Sequence, residues 1–152
     1  MSTKAPWAAE GLTVEAFYRR CPSRYLESYR AMEDLFRGTA GLMVQRPRPE
    51  AGTVLHCFCK TACPDCQILI PLLDLICRQD STPLRIHSHK KWAPTLEALA
   101  ADPEALTLPT VLVTEEDGKP RRCLFGRPGG LDVVTWRTGQ GWRELFAFFR
   151  DR

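Results

Sequence analysis

The feature that most constrains this chain is Cys63-Pro64-Asp65-Cys66, set between two contrasting patterns. Before it, Thr53-Val54-Leu55-His56-Cys57-Phe58-Cys59 is short and largely apolar, as expected of a strand buried on both faces. After it, a helical pattern runs to about Arg78. Two thiols separated by two residues at a helix start place the first at the helix end, near unpaired backbone N–H groups and the positive end of the dipole. The second lies one turn inward. That arrangement is expected to lower the first thiol's pKa and to let the second resolve a mixed disulfide. Pro64 suits a first helical turn, where a missing N–H costs nothing. Asp65 favours the helix N-terminus but adds negative charge beside the thiol.

The flanking segments supply the rest of an α/β domain. Leu84-Arg85-Ile86-His87 is expected to be a second strand, parallel to the first through a right-handed crossover. Pro94 to Ala101 forms a short helix with Pro94 in its first turn. Leu108-Pro109 leads into the strand Thr110-Val111-Leu112-Val113, and Asp117-Gly118 turns the chain into a return strand, Arg121 to Phe125. A last helix spans about Gln140 to Phe149, with Trp142, Leu145, Phe146 and Phe149 on one apolar face. Upstream, residues 1–12 have the look of a loose tail. Thr13 caps a helix to about Arg20, and Pro22 interrupts it. Ser23 caps a second helix, with Tyr25, Leu26, Tyr29, Met32, Leu35 and Phe36 at helical spacing, ended by Gly38. Gln45 to Glu50 is a proline-rich linker. The expected division is a helical extension over 1–50, packed on a domain over 51–152.

Bulk properties narrow the function classes. A chain of 152 residues fits one domain with a small extension. A net charge of +3 argues against nucleic-acid and membrane partners. No stretch approaches the ~20 apolar residues of a membrane helix, and the N-terminus lacks the apolar core of a signal peptide. A cytoplasmic location is expected. Seven cysteines, an odd number, cannot all pair within the chain. In a reducing cytosol a close pair points to redox or metal chemistry.

In order and spacing, these residues resemble the thioredoxin superfamily from about Thr53 to the C-terminus. The resemblance rests on the strand, the C-P-D-C motif, Pro71 eight residues after the first cysteine, and Leu108-Pro109-Thr110 before a strand. It continues through the hairpin, Gly126, and Gly139-Gln140-Gly141-Trp142-Arg143-Glu144-Leu145 entering the last helix. It implies a thioredoxin-like α/β fold: a mixed central sheet, helices on both faces, plus the N-terminal extension. It also implies a thiol–disulfide oxidoreductase acting on protein or small-molecule disulfides and recharged by an upstream reductant, with no cofactor. Cys63 would be the nucleophile and Cys66 the resolving thiol. Ala62, Leu108, Pro109 and Gly126 would form the substrate surface, with a cis Leu108–Pro109 bond against the motif. Four positions depart from the family. Ala62 replaces a tryptophan, Pro-Asp replaces Gly-Pro, and Cys57 stands where a buried aspartate assists proton transfer. Release of Cys66 is then expected to lack an internal base, and turnover to rise with pH.

Two alternatives remain: a non-catalytic binding module, or zinc or iron–sulfur binding by Cys57, Cys59, Cys63 and Cys66, a C-x-C-x3-C-x2-C array. Strand alternation opposes the metal reading, because Cys57 and Cys59 share one face beside buried helices. His56 points the opposite way from Cys57. His87 and His89 share one face of the second strand, a pairing without a third ligand nearby. Cys21, Cys77 and Cys123 are assigned to packing, although Arg121 and Arg122 precede Cys123. Lys90-Lys91-Trp92 is expected to be solvated surface.

Overall fold

A computed structural model describes residues 5–39, 47–78, 81–99, 109–127 and 131–150. It is an α/β structure around a four-stranded mixed sheet of order β2-β1-β3-β4. The strands are β1 (Thr53–Cys59), β2 (Leu84–Ser88), β3 (Thr110–Glu115) and β4 (Pro120–Phe125). β1 pairs in parallel with β2, and antiparallel pairs join β1 to β3 and β3 to β4. The helices are α1 (Val14–Arg20), α2 (Ser23–Arg37), α3 (Pro64–Arg78), α4 (His89–Leu99), α5 (Val133–Arg137) and α6 (Trp142–Arg150).

Alternation along β1 divides the molecule into two layers. Leu55, Cys57 and Cys59 join a core built from α1, α2, α3, α5 and α6. His56 and Phe58 face the other side, where Phe58 packs with Trp7, Trp92, Leu96 and Leu112. Helices therefore cover both faces. Within α6, Leu145, Phe146 and Phe149 are buried; each contributes about 1.5–3 kcal/mol of transfer free energy. α3 continues through Pro71, which is buried within it.

Several local expectations are met. The Thr13 side chain accepts from the Ala16 N–H as the α1 cap, and Gly118 takes φ +89° in the hairpin turn. Others are corrected. Residues 5–12 are no loose tail. Leu12 exchanges two backbone hydrogen bonds with Ile86, at 2.9 and 2.8 Å. The Trp7 indole donates to the Gly118 carbonyl at 3.0 Å and meets Phe58 and Trp92 edge-on. This segment covers the second face, and its aromatic burial offsets the entropy of ordering it. Gly11 permits the close approach: it has φ +108°, and a Cβ there would lie 2.7 Å from His87 Cε1.

α4 begins at His89, so Pro94 lies inside the helix and His89 is not in the strand. Ser88 Oγ accepts from the Lys91 N–H at 3.4 Å, and Trp92 and Leu96, one turn apart, are buried together. That burial outweighs the hydrogen bond Pro94 cannot make. The expected helix end at Ala101 lies outside the described residues, as do linker positions Gln45 and Arg46. α2 starts at Ser23 with Pro22 at the cap position, so Ser23 does not cap it. The sequence reading also passed over α5. Asp132 caps it, accepting from Thr135 N–H at 2.9 Å, and its Trp136 is fully buried.

Candidate functional site

The sheet register gathers the sequence-selected residues at one end. Phe58 is opposite Thr110 and Thr110 is opposite Phe125. One step beyond, the Gly126 N–H donates to the Pro109 carbonyl at 2.7 Å. Cys59, Pro109 and Gly126 thus form a row across β1, β3 and β4, and the loop to Cys63 leaves from its Cys59 end. Gly126 has φ +71°. Pro109 is buried and Ala62 is exposed beside Cys63. Leu108, and with it the Leu108–Pro109 bond, lies outside the described residues.

Cys63 occupies the cap position of α3: its carbonyl accepts from Gln67 N–H at 3.1 Å, and its own N–H donates to Lys60 at 3.1 Å. Its side chain is half-buried, while Cys66 is fully buried beneath it. Both carry thiols. A hydrogen bond to Cys66, then burial, push the Cys63 thiol up; backbone N–H groups of Cys66 and Asp65 pull it back. The upward direction corrects the expectation of a lowered pKa. Two thiols in contact cannot both ionise cheaply, and burial adds to that cost. Cys66 is likewise pushed up, first by its hydrogen bond to Cys59, and the Lys60 N–H pulls it back.

A chain of thiol contacts links Cys57, Cys59, Cys66 and Cys63. Cys57 and Cys59 share the buried layer of Cys66, as strand alternation requires. Among the described residues, no group of three or more His, Cys, Asp or Glu side chains is placed to hold a metal ion.

Three surroundings of the motif escaped the sequence reading. Tyr29 of α2 is fully buried, and its hydroxyl donates to the Thr61 carbonyl at 3.0 Å, tying the N-terminal helices to the motif loop. Burial, then the nearby thiols, hold that phenol well above its usual pKa, so it stays a donor. The Asp65 carboxylate turns toward Arg137 at 3.3 Å and Arg127 at 3.7 Å, so its negative charge is offset. The Trp136 indole donates to the Asp65 carbonyl at 3.3 Å. Helical spacing places Tyr29 on the buried face of α2, but nothing local identifies its partner.

On the opposite face, His56 Nδ1 and His87 Nε2 are 2.8 Å apart, and the His87 ring stacks on Phe58 with centroids 4.8 Å apart. His87 therefore partners His56 across the sheet. Burial first, then neighbouring positive charge, push His56 down to about 3, and burial pushes His87 down to about 4 against the opposing charge of Glu10. Cys123 is half-buried against the second-face core, and burial raises it to about 12, the behaviour of a packing thiol despite its basic neighbours.

No family model matches this sequence, and no curated protein matches it. Among solved structures it is similar to a protein of unknown function from Pseudomonas aeruginosa. The TM-score is 0.79 at 20% identity, over 98% of this chain and 95% of the other. It is also similar to an HIV epitope-scaffold, with TM-score 0.77 at 19% identity, over 97% of this chain and 95% of the other. At such identities the likeness establishes the shared fold and carries nothing about chemistry. No helix among the described residues is long and apolar enough to cross a membrane.

Proposed function

We propose that this chain is a thioredoxin-like protein of the cytoplasm and a thiol–disulfide oxidoreductase that reduces protein disulfides through Cys63 and Cys66. The observation that carries the reading is the placement of a half-exposed Cys63 at the start of α3, hydrogen-bonded to a fully buried Cys66 one turn inward. The Cys63 thiolate attacks one sulfur of the substrate disulfide, forming a mixed disulfide and releasing the other sulfur as a thiolate, which takes up a proton. The Cys66 thiolate then attacks Cys63 Sγ, the mixed disulfide breaks, and the second substrate sulfur departs. Two electrons have passed to the substrate, the protein holds a Cys63–Cys66 disulfide, and an upstream thiol reductant restores it.

The raised thiols set the pH dependence. Only the thiolate attacks, so the rate rises with pH as the pair ionises. Cys57, where a carboxylate would assist, is a fully buried thiol, so Cys66 has no acidic neighbour on β1 to take its proton. The same raised Cys63 thiol is the observation that favours the alternative, a non-catalytic binding module.

The test is trapping. Cys66→Ser incubated with a protein disulfide accumulates a mixed disulfide at Cys63, Cys63→Ser does not, and mild oxidation of the wild type yields Cys63–Cys66 by peptide mapping. A reversed trapping pattern would overturn the roles. Failure of both variants to trap, together with a dominant Cys59–Cys66 link, would return the chain to the binding-module reading.

A further inference from the structure

A cavity of about 460 Å3 opens at the C-terminal ends of the parallel pair β1 and β2. Crevices at this end of parallel strands are common ligand sites, and the size falls in the range of small-molecule pockets, about 300–1,000 Å3. Its apolar walls come from Leu12, Phe17 and Ile86, and Cys59 reaches it from β1. Three cations stand around it: Arg20 from the end of α1, Lys60 from the loop after β1, and Lys90 from the first turn of α4.

Two facts mark the rim of this cavity, whose three cations are exposed. No carboxylate lines the cavity. Among the described residues, none of the three cations makes an ion pair, although the neighbouring Lys91 is paired with Glu10 at 2.6 Å and Arg19 with Glu15. Three elements distant in sequence therefore converge three uncompensated positive charges on an apolar recess. Like charges held together cost free energy, and an anion placed among them recovers it. Apolar walls beneath a cationic rim match a molecule with an aliphatic body and a charged head.

We infer that this cavity binds a small amphipathic carboxylate, with its aliphatic chain against Leu12, Phe17 and Ile86 and its carboxylate among Arg20, Lys60 and Lys90. The segment 5–12 builds the site by laying Leu12 beside Ile86 as a one-residue antiparallel bridge. Neither Cys63 nor Cys66 lines the cavity, so the inference stands apart from the thiol chemistry proposed above.

The probe is sodium octanoate, titrated by calorimetry into the full-length protein at low salt. Amide shifts are mapped by NMR on labelled protein. One saturable site is expected, with shifts centred on Leu12, Thr61 and Ser88. Acetate lacks the chain and octylamine carries the wrong charge, so both should bind far more weakly. The triple variant Arg20→Gln/Lys60→Gln/Lys90→Gln changes exposed side chains, and circular dichroism checks its fold. It should weaken octanoate about tenfold, the combined effect of three solvent-screened contacts. The inference is overturned if octanoate does not saturate or its shifts centre elsewhere. Acetate or octylamine matching octanoate would overturn it too, as would a folded triple variant that retains wild-type affinity. Thiol trapping at Cys63 is scored separately and is indifferent to each of these outcomes.

Discussion

Acidification from about pH 7 to about pH 5 should destabilise this protein through two buried histidines. His56 is 1% exposed and His87 is 5% exposed, and their rings share a 2.8 Å hydrogen bond in which one nitrogen must remain an unprotonated acceptor. Burial is the first cause of both depressed values, about 3 and about 4. Arg85 and His87 lower His56 further. For His87, Lys91 and Arg85 also lower the value, while Glu10 raises it. In the unfolded chain each histidine titrates near 6.5. The folded state therefore excludes protons that the unfolded state accepts below that pH. The stability due to neutral histidine is fully present above about pH 6.5 and is lost as pH falls toward 4 and 3. At about 1.4 kcal/mol per group per pH unit, the two together remove roughly 3–4 kcal/mol between pH 7 and pH 5, a large share of a typical domain's stability. Asp74 acts in the opposite sense: burial raises its carboxyl, so the folded state takes up a proton that the unfolded state still excludes, and this group adds stability as pH falls. Urea unfolding at several pH values measures the sum, and NMR titration of the two imidazoles assigns it. A stability change under about 1 kcal/mol between pH 7 and pH 5, or an imidazole midpoint above about 6, would refute the reasoning.

Two substitutions test the motif's surroundings. Tyr29→Phe removes the hydroxyl that donates to Thr61 and should cost about 1 kcal/mol, with faster amide exchange in the loop before Cys63; exchange unchanged from wild type would show that Tyr29 does not hold the loop. Asp65→Asn frees Arg127 and Arg137 of their shared carboxylate. Stability should fall by about 1 kcal/mol or less, and alkylation of Cys63 by iodoacetamide should speed up as the local potential turns positive. A slower reaction would mean that the carboxylate's main effect is to position the α3 start.

What the sequence determined by itself is local. The run from Thr53 to Arg78 is legible because burial on both strand faces, a proline at the first helical position and the two-residue cysteine spacing are properties of neighbouring residues. Alternation along β1 likewise set Cys57 and Cys59 against His56 before any contact was known. The Thr13 cap and the apolar stripe of α6 are of the same kind. The α5 cap was also local, in Asp132 and Thr135, but five residues are too few for a periodic signal. Tertiary structure decided the rest. Trp7 orders residues 5–12 because Phe58, Trp92 and the Gly118 carbonyl happen to converge on it. Pro94 is tolerated inside α4 because Trp92 and Leu96 bury together. His87 pairs with His56 because the parallel register brings two strands' second-face side chains together, a relation that spacing within either strand cannot express. The coupling of Cys63 to Cys66, and of Cys66 to Cys59, raises thiols that the helix end alone would lower. Asp65 meets Arg127 and Arg137 only once β4 and α5 have folded beside α3. Pairings of this kind depend on which faces meet and in what register, and these are set by the packing of the whole sheet.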